Sequence, residues 1–141
     1  MYGLFYFYDK KVMSTKILFI YNANSDTGSK LFGFAHKIIS PATYDCALCS
    51  LTFGSFTENK QWKAFRERLL ANGYELEFLH KDEFQKSYKS KFGHAFTYPI
   101  ILVETPHDLE VLVTTEKLNG FETVEELVAA VKFSVGSASL L

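Results

Sequence analysis

A single α/β domain on a central, mixed four-stranded sheet is the fold class this sequence predicts, and three observations lead there. Two continuous apolar runs, Lys16-Ile17-Leu18-Phe19-Ile20-Tyr21 and Tyr98-Pro99-Ile100-Ile101-Leu102-Val103, read as strands buried on both faces of a sheet. Between and beyond them apolar residues recur at three- and four-residue steps, the spacing of helices that lay one face on that sheet. The length, 141 residues, suits one unit, since a chain of that size buries roughly two thirds of its unfolded surface and needs no disulfide staples.

Taken in order, the first strand ends at Asn22-Ala23-Asn24-Ser25-Asp26. From Gly28 to Ile39 the positions Leu31, Phe32, Ala35, Ile38 and Ile39 share a helical face, and Pro41 stops the helix. The stretch from Ser40 to Thr57, with Pro41, Gly54 and several hydroxyl residues, reads as an irregular loop carrying Cys46 and Cys49. Trp62, Phe65, Leu69 and Leu70 mark a helix over 58–70 that Gly73 terminates. Residues 74–79 read as a strand bordering the core, and Asp82 caps a short helix running to about Lys89. Residues 98–103 and 109–113, joined by Thr105-Pro106-His107-Asp108, read as an antiparallel hairpin. Thr123-Val124-Glu125-Glu126 is a capping box opening a helix that turns Val124, Leu127, Val128 and Val131 to the sheet. Residues 1–15 are expected to form a weakly ordered extension, 16–133 the domain, and 134–141 a C-terminal tail.

Charge and composition exclude several function classes. Fifteen basic and sixteen acidic side chains are intermixed for a net charge of −1, which offers no footprint for nucleic-acid phosphates. The aromatic residues, at 16%, fall at strand and helix spacing and read as core rather than as base-stacking platforms. No run approaches the ~20 apolar residues that cross a bilayer. The apolar stretch from Leu4 to Tyr8 lacks the basic flank and the length of an export signal. A cytoplasmic protein is therefore expected, with neither nucleic acid nor membrane as partner. The chain holds no nucleophile elbow, no HExxH and no GxGxxG. Asn24-Ser25-Asp26-Thr27-Gly28-Ser29-Lys30 sits where phosphate loops occur but lacks the Walker glycine and ending, leaving only an anion contact near Gly28.

The strongest chemical signal is Cys46-Ala47-Leu48-Cys49. Two thiols two residues apart, in a reducing compartment, point to redox or metal chemistry rather than to an extracellular disulfide framework. The β-α-β then β-β-α order, this CxxC and the later proline at the head of the hairpin together resemble the thioredoxin-like superfamily, over roughly Lys16 to Phe133. In those proteins the CxxC opens a helix near the first strand, and a cis-proline before the third strand packs beside the disulfide. The matching positions are Cys46, Cys49 and Pro99. The stretch from His36 through Ser40-Pro41-Ala42-Thr43-Tyr44 to Cys49 is also similar to the His-Lys-x-x-Ser-Pro-x-Thr-Tyr-x-Cys-x-Leu-Cys pattern of a small uncharacterised bacterial group of thioredoxin-like proteins.

What the resemblance implies is a three-layer α/β/α domain with an extra helix-loop insertion carrying the CxxC, because a predicted helix separates the first strand from the cysteines. It implies a thiol-disulfide oxidoreductase or redox sensor without a cofactor. Cys46 would attack a protein thiol or disulfide substrate, Cys49 would resolve the intermediate, and Pro99 would shape the substrate groove. Such a pair needs Cys46 partly exposed at a helix start with Pro99 beside it. The neighbouring Asp45 carboxylate works against a low thiol pKa.

Two other readings of the same cysteines stay open. His36 and His80 could complete a tetrahedral Cys2His2 zinc site with Cys46 and Cys49, in a binding protein that is not an enzyme. Both cysteines could equally be small buried hydrophobes, since free cysteine is among the most buried residue types. His80-Lys81-Asp82-Glu83, just past a strand end, reads either as an acid/base cluster or as a solvated helix start whose carboxylates match the helix dipole.

Overall fold

The apolar run after Thr15 becomes the strand around which everything else is arranged in this computed structural model, which describes residues 15–25, 46–53, 57–92 and 96–137. In chain order the elements are β1 (Lys16–Tyr21), α1 (Ala47–Phe53), α2 (Lys60–Ala71), β2 (Glu75–His80), α3 (Lys81–Phe92), β3 (Ile100–Glu104), β4 (Leu109–Val113), α4 (Thr115–Gly120) and α5 (Val124–Ser137). β1 pairs parallel with β2, from Lys16 opposite Glu75 to Tyr21 opposite His80. On its other side it pairs antiparallel with β3, from Lys16 opposite Glu104 to Ile20 opposite Ile100. β3 and β4 form the expected antiparallel hairpin, so the sheet is mixed and four-stranded in the order β2-β1-β3-β4.

Helices cover both faces of this sheet. On one face Ile17, Phe19, Tyr21 and Ile101 meet Leu48 of α1, Trp62 and Phe65 of α2, Leu118 of α4 and Leu127 and Val131 of α5. On the other, Leu18, Ile20 and Leu102 meet Phe84 and Tyr88 of α3, together with Phe96 and Tyr98. A strand flanked by strands and covered on both sides has no wet face, and Ile17 to Tyr21 are all 0 or 1% exposed. Phe19 is the centre of the larger cluster, stacked on Phe78 at 4.8 Å and edge-on to Trp62 at 5.4 Å.

Local chemistry sets the element ends. Asn59 caps α2 by accepting the Trp62 N–H on its side-chain oxygen at 2.9 Å. At the other end Asn72 closes the helix and Gly73 follows at φ +94°, a left-handed conformation that glycine adopts without steric cost. The capping box forms as expected: Thr123 Oγ1 accepts the Glu126 N–H, while the Glu126 carboxylate accepts the N–H of Thr123 at 3.2 Å. In the hairpin turn, Thr105 Oγ1 accepts the N–H groups of His107 and Asp108.

Several expectations need correction. The cysteine-bearing stretch is not an irregular loop throughout, because 47–53 is helical. Its hydroxyl residues do not break the helix, since Ser50 Oγ donates to the Cys46 carbonyl and Thr52 Oγ1 to that of Leu48, both one turn back. Asp82 does not cap α3; the Glu83 carboxylate instead accepts the His80 N–H at 2.9 Å. A short helix, α4, was not expected; Thr114 caps it by accepting the Lys117 N–H. The last helix runs to Ser137, past the expected boundary at Phe133, because Val135 still packs into the core at 5% exposure. The predicted helix over 28–39 and the N-terminal extension up to Ser14 lie outside the described residues.

Removing the α2 cap isolates its contribution. Asn59→Ala should lower unfolding free energy by about 1 kcal/mol, read as a lower urea midpoint at unchanged slope, whereas Asn59→Asp should stay close to the parent.

Candidate functional site

The elements converge on the end of β1. Cys46 immediately precedes α1, and its carbonyl accepts the Ser50 N–H at 3.1 Å, the first bond of that helix. Its sulfur accepts the Cys49 N–H at 3.2 Å, as an N-cap oxygen would, and the N–H of Asn22, the residue after β1, at 3.4 Å. Cys46 and Cys49 are joined as a disulfide with Cα atoms 5.2 Å apart, inside the range such a bridge spans.

Cys46 is 0% and Cys49 7% exposed, and both belong to the core cluster that holds Trp62 and Leu127. The part-exposed Cys46 expected of an attacking thiol is thus not what this closed, oxidised arrangement presents. The Tyr98–Pro99 peptide is cis, the form that the resemblance attached to this position. Pro99 is buried directly before β3. Since Ile100 pairs with Ile20, Pro99 arrives at the same end of β1 at which Asn22 meets the Cys46 sulfur.

His80 reaches this edge too, because parallel pairing sets it opposite Tyr21. Its ring is 3% exposed and its Nδ1 lies 2.6 Å from the Glu83 carboxylate. His36 lies outside the described residues, so the proposed Cys2His2 quartet is represented by Cys46, Cys49 and His80 alone. Among the described residues no three or more His, Cys, Asp or Glu side chains gather closely enough to hold a metal ion.

The neighbours of His80 tie the turn after β1 to the start of α3. Lys81 donates its ammonium to the Asn22 side-chain oxygen at 3.0 Å and its N–H to the Ala23 carbonyl. Asp82 accepts the Ser25 N–H at 2.8 Å and its hydroxyl at 2.6 Å. These are clamping contacts, which the reading as a helix start accounts for. The anion contact expected near Gly28 lies outside the described residues. Burial works against ionisation of Asp82, but the bonds from Ser25 and from nearby backbone N–H groups outweigh it and hold the carboxyl below its ordinary value.

Behind the disulfide lies a polar thread that sequence reasoning missed. The Tyr21 hydroxyl sits 3.5 Å from Thr52 Oγ1, which itself donates to the Leu48 carbonyl. Burial pushes the Tyr21 hydroxyl well above the usual phenol range, the Thr52 hydrogen bond opposing it, so the ring stays neutral. Asn22 was missed because it meets the Cys46 sulfur through its backbone N–H, although its place just past a strand end is where α/β ligand sites tend to form.

Compared with family models, with curated proteins and with solved structures, the chain gives no significant match.

The Ser25–Asp82 clamp has a pH signature. A carboxyl lowered by folding contributes stability at pH above its unfolded value, near 3.8, and loses that contribution as pH falls through the folded value. A carbon-detected NMR titration should therefore place the Asp82 midpoint below 3.8, and Ser25→Ala should move it upward.

Proposed function

We propose that this chain is a thioredoxin-like thiol-disulfide protein whose Cys46–Cys49 pair cycles between dithiol and disulfide. The observation that carries the reading is the setting of the Cys46 sulfur: bonded to Cys49, and approached by two backbone N–H groups, from Asn22 and Cys49. Donors that face a sulfur favour its thiolate over its thiol, and the thiolate is the nucleophile of exchange. The β-α-β order around β1 and β2, followed by the β3-β4-α order, supports the thioredoxin-like frame, as does the position of Pro99 at the same end of β1.

In the forward direction the Cys46 thiolate attacks one sulfur of a substrate disulfide, forming a mixed disulfide and releasing the other substrate sulfur as thiolate, which takes up a proton. Cys49, giving up its proton, then attacks the Cys46 sulfur. The Cys46–Cys49 bond forms, the second substrate thiol leaves, and two electrons have passed from the chain to the substrate. Enclosure of Cys46 makes this a guarded couple: exchange requires the site to open, so reaction with small thiols is slow while reaction with a partner that opens the site is fast.

The first test is zinc and free-thiol determination on anaerobically purified protein, alongside Cys46→Ser. Agreement would be a zinc-free chain whose two cysteines oxidise and reduce reversibly against a thiol buffer while the fold stays intact, and lose the transition in Cys46→Ser. About one zinc per chain that disappears with the substitution would replace this reading by the Cys2His2 one. A pair that exchanges only after the chain unfolds would make the disulfide structural. Dithiothreitol should reduce the native pair at least tenfold more slowly than the same pair in urea-unfolded chain, measured by timed alkylation.

A further inference from the structure

On the helix-rich face, at the β2 edge of the sheet, a cavity of about 230 Å³ is lined by Phe53, Glu58, Trp62, Arg66 and Phe78. Three walls are aromatic, and two of them are fixed from behind. Trp62 stands edge-on to Phe19, and Phe78 is stacked between Phe19 at 4.8 Å and Tyr21 at 6.5 Å. The Trp62 and Phe78 rings cannot simply fold into the space, because each is committed to a buried neighbour. Open volume beside well-packed rings forfeits dispersion contacts that a ligand would restore.

The remaining wall is a single ion pair. Arg66 donates through Nε and one Nη to the two carboxylate oxygens of Glu58, at 2.5 and 2.7 Å. The pair is bidentate and partly enclosed, with 26% and 18% of the side chains exposed. Because the two charges are matched against each other, this wall carries hydrogen-bonding capacity without net charge. The guanidinium keeps N–H groups beyond the two it spends on Glu58, and the carboxylate keeps lone pairs.

We propose that this cavity is a binding site for a neutral, flat molecule of one or two rings that carries a hydroxyl or carbonyl at its edge. The volume argues for that size, since a protein cavity of roughly 150 Å³ accepts a benzene ring. The aromatic walls select a flat apolar body. The matched Glu58–Arg66 pair selects a neutral polar edge and disfavours a charged one, which would have to displace one partner and leave the other uncompensated. The site lies at the C-terminal end of α1 and neither cysteine lines it, so its occupancy is tested separately from the redox reading.

Trp62 is the only tryptophan of the chain, which makes its fluorescence a direct reporter. Titration of the oxidised full-length protein with p-cresol should give a saturable change, and toluene should bind about fivefold more weakly, the difference one hydrogen bond makes. Benzoate should bind more weakly than p-cresol. In the double variant Glu58→Gln, Arg66→Met the preference for p-cresol over toluene should vanish while toluene binding persists. An NMR titration of the unaltered chain needs no variant, and shifts should concentrate on Phe53, the Trp62 indole and Phe78. Absence of saturation by any of the probes, or shifts spread over the surface, would overturn the proposal.

Discussion

β1 must be hydrogen-bonded on both edges and covered on both faces, and the rest of the molecule follows from meeting that demand. Its parallel partner, β2, requires a crossover that carries α1 and α2 over one face. Its antiparallel partner, β3, brings a hairpin whose return strand closes the sheet on the far side. α3 then has only the second face available, and it fills it with Phe84 and Tyr88. At roughly 25 cal/mol for each Å² of apolar surface removed from water, burial of this many large side chains against one strand is the main term holding the domain together.

The same arrangement sets the place of the candidate site. Two parallel strands end side by side, and the antiparallel β3 begins at that edge, so Asn22, His80 and Pro99 are delivered to one place by backbone pairing alone. α1 adds the two cysteines, with the Cys46 sulfur satisfied by N–H groups of both the helix start and the β1 turn. The turn is in turn held by Lys81 and Asp82 from the first turn of α3. Hydrogen bonds thus run from the Cys46 sulfur through Asn22 to Lys81, joining α1 and α3, which lie on opposite faces.

How legible this was in the sequence depended on whether a signal was local. The run from Ile17 to Tyr21, the turn at Gly73 and the Thr123 capping box are encoded within a few residues, and the structure follows them. α1 was hidden because Ser50 and Thr52 favour turns by composition, while their back-bonding to Cys46 and Leu48 is visible only once the helix exists. Asp82 carries a capping residue's chemistry, but its partner, Ser25, is far away along the chain. For the site, the cysteine pair and Pro99 were readable as residues. Their enclosure and the Asn22 N–H depend on long-range packing that no spacing records.

The position of β1 at the centre of the sheet also bears on synthesis. The strand is translated before both of its partners, and Lys16 waits for Glu75 on one edge and Glu104 on the other. Until most of the domain has left the ribosome, the strand that ends up buried from Ile17 to Tyr21 has unpaired edges and no cover, and non-local pairing of this kind is slow to form. A nascent chain stalled before the β3 codons would expose a sticky strand, which is the condition under which holdase chaperones engage.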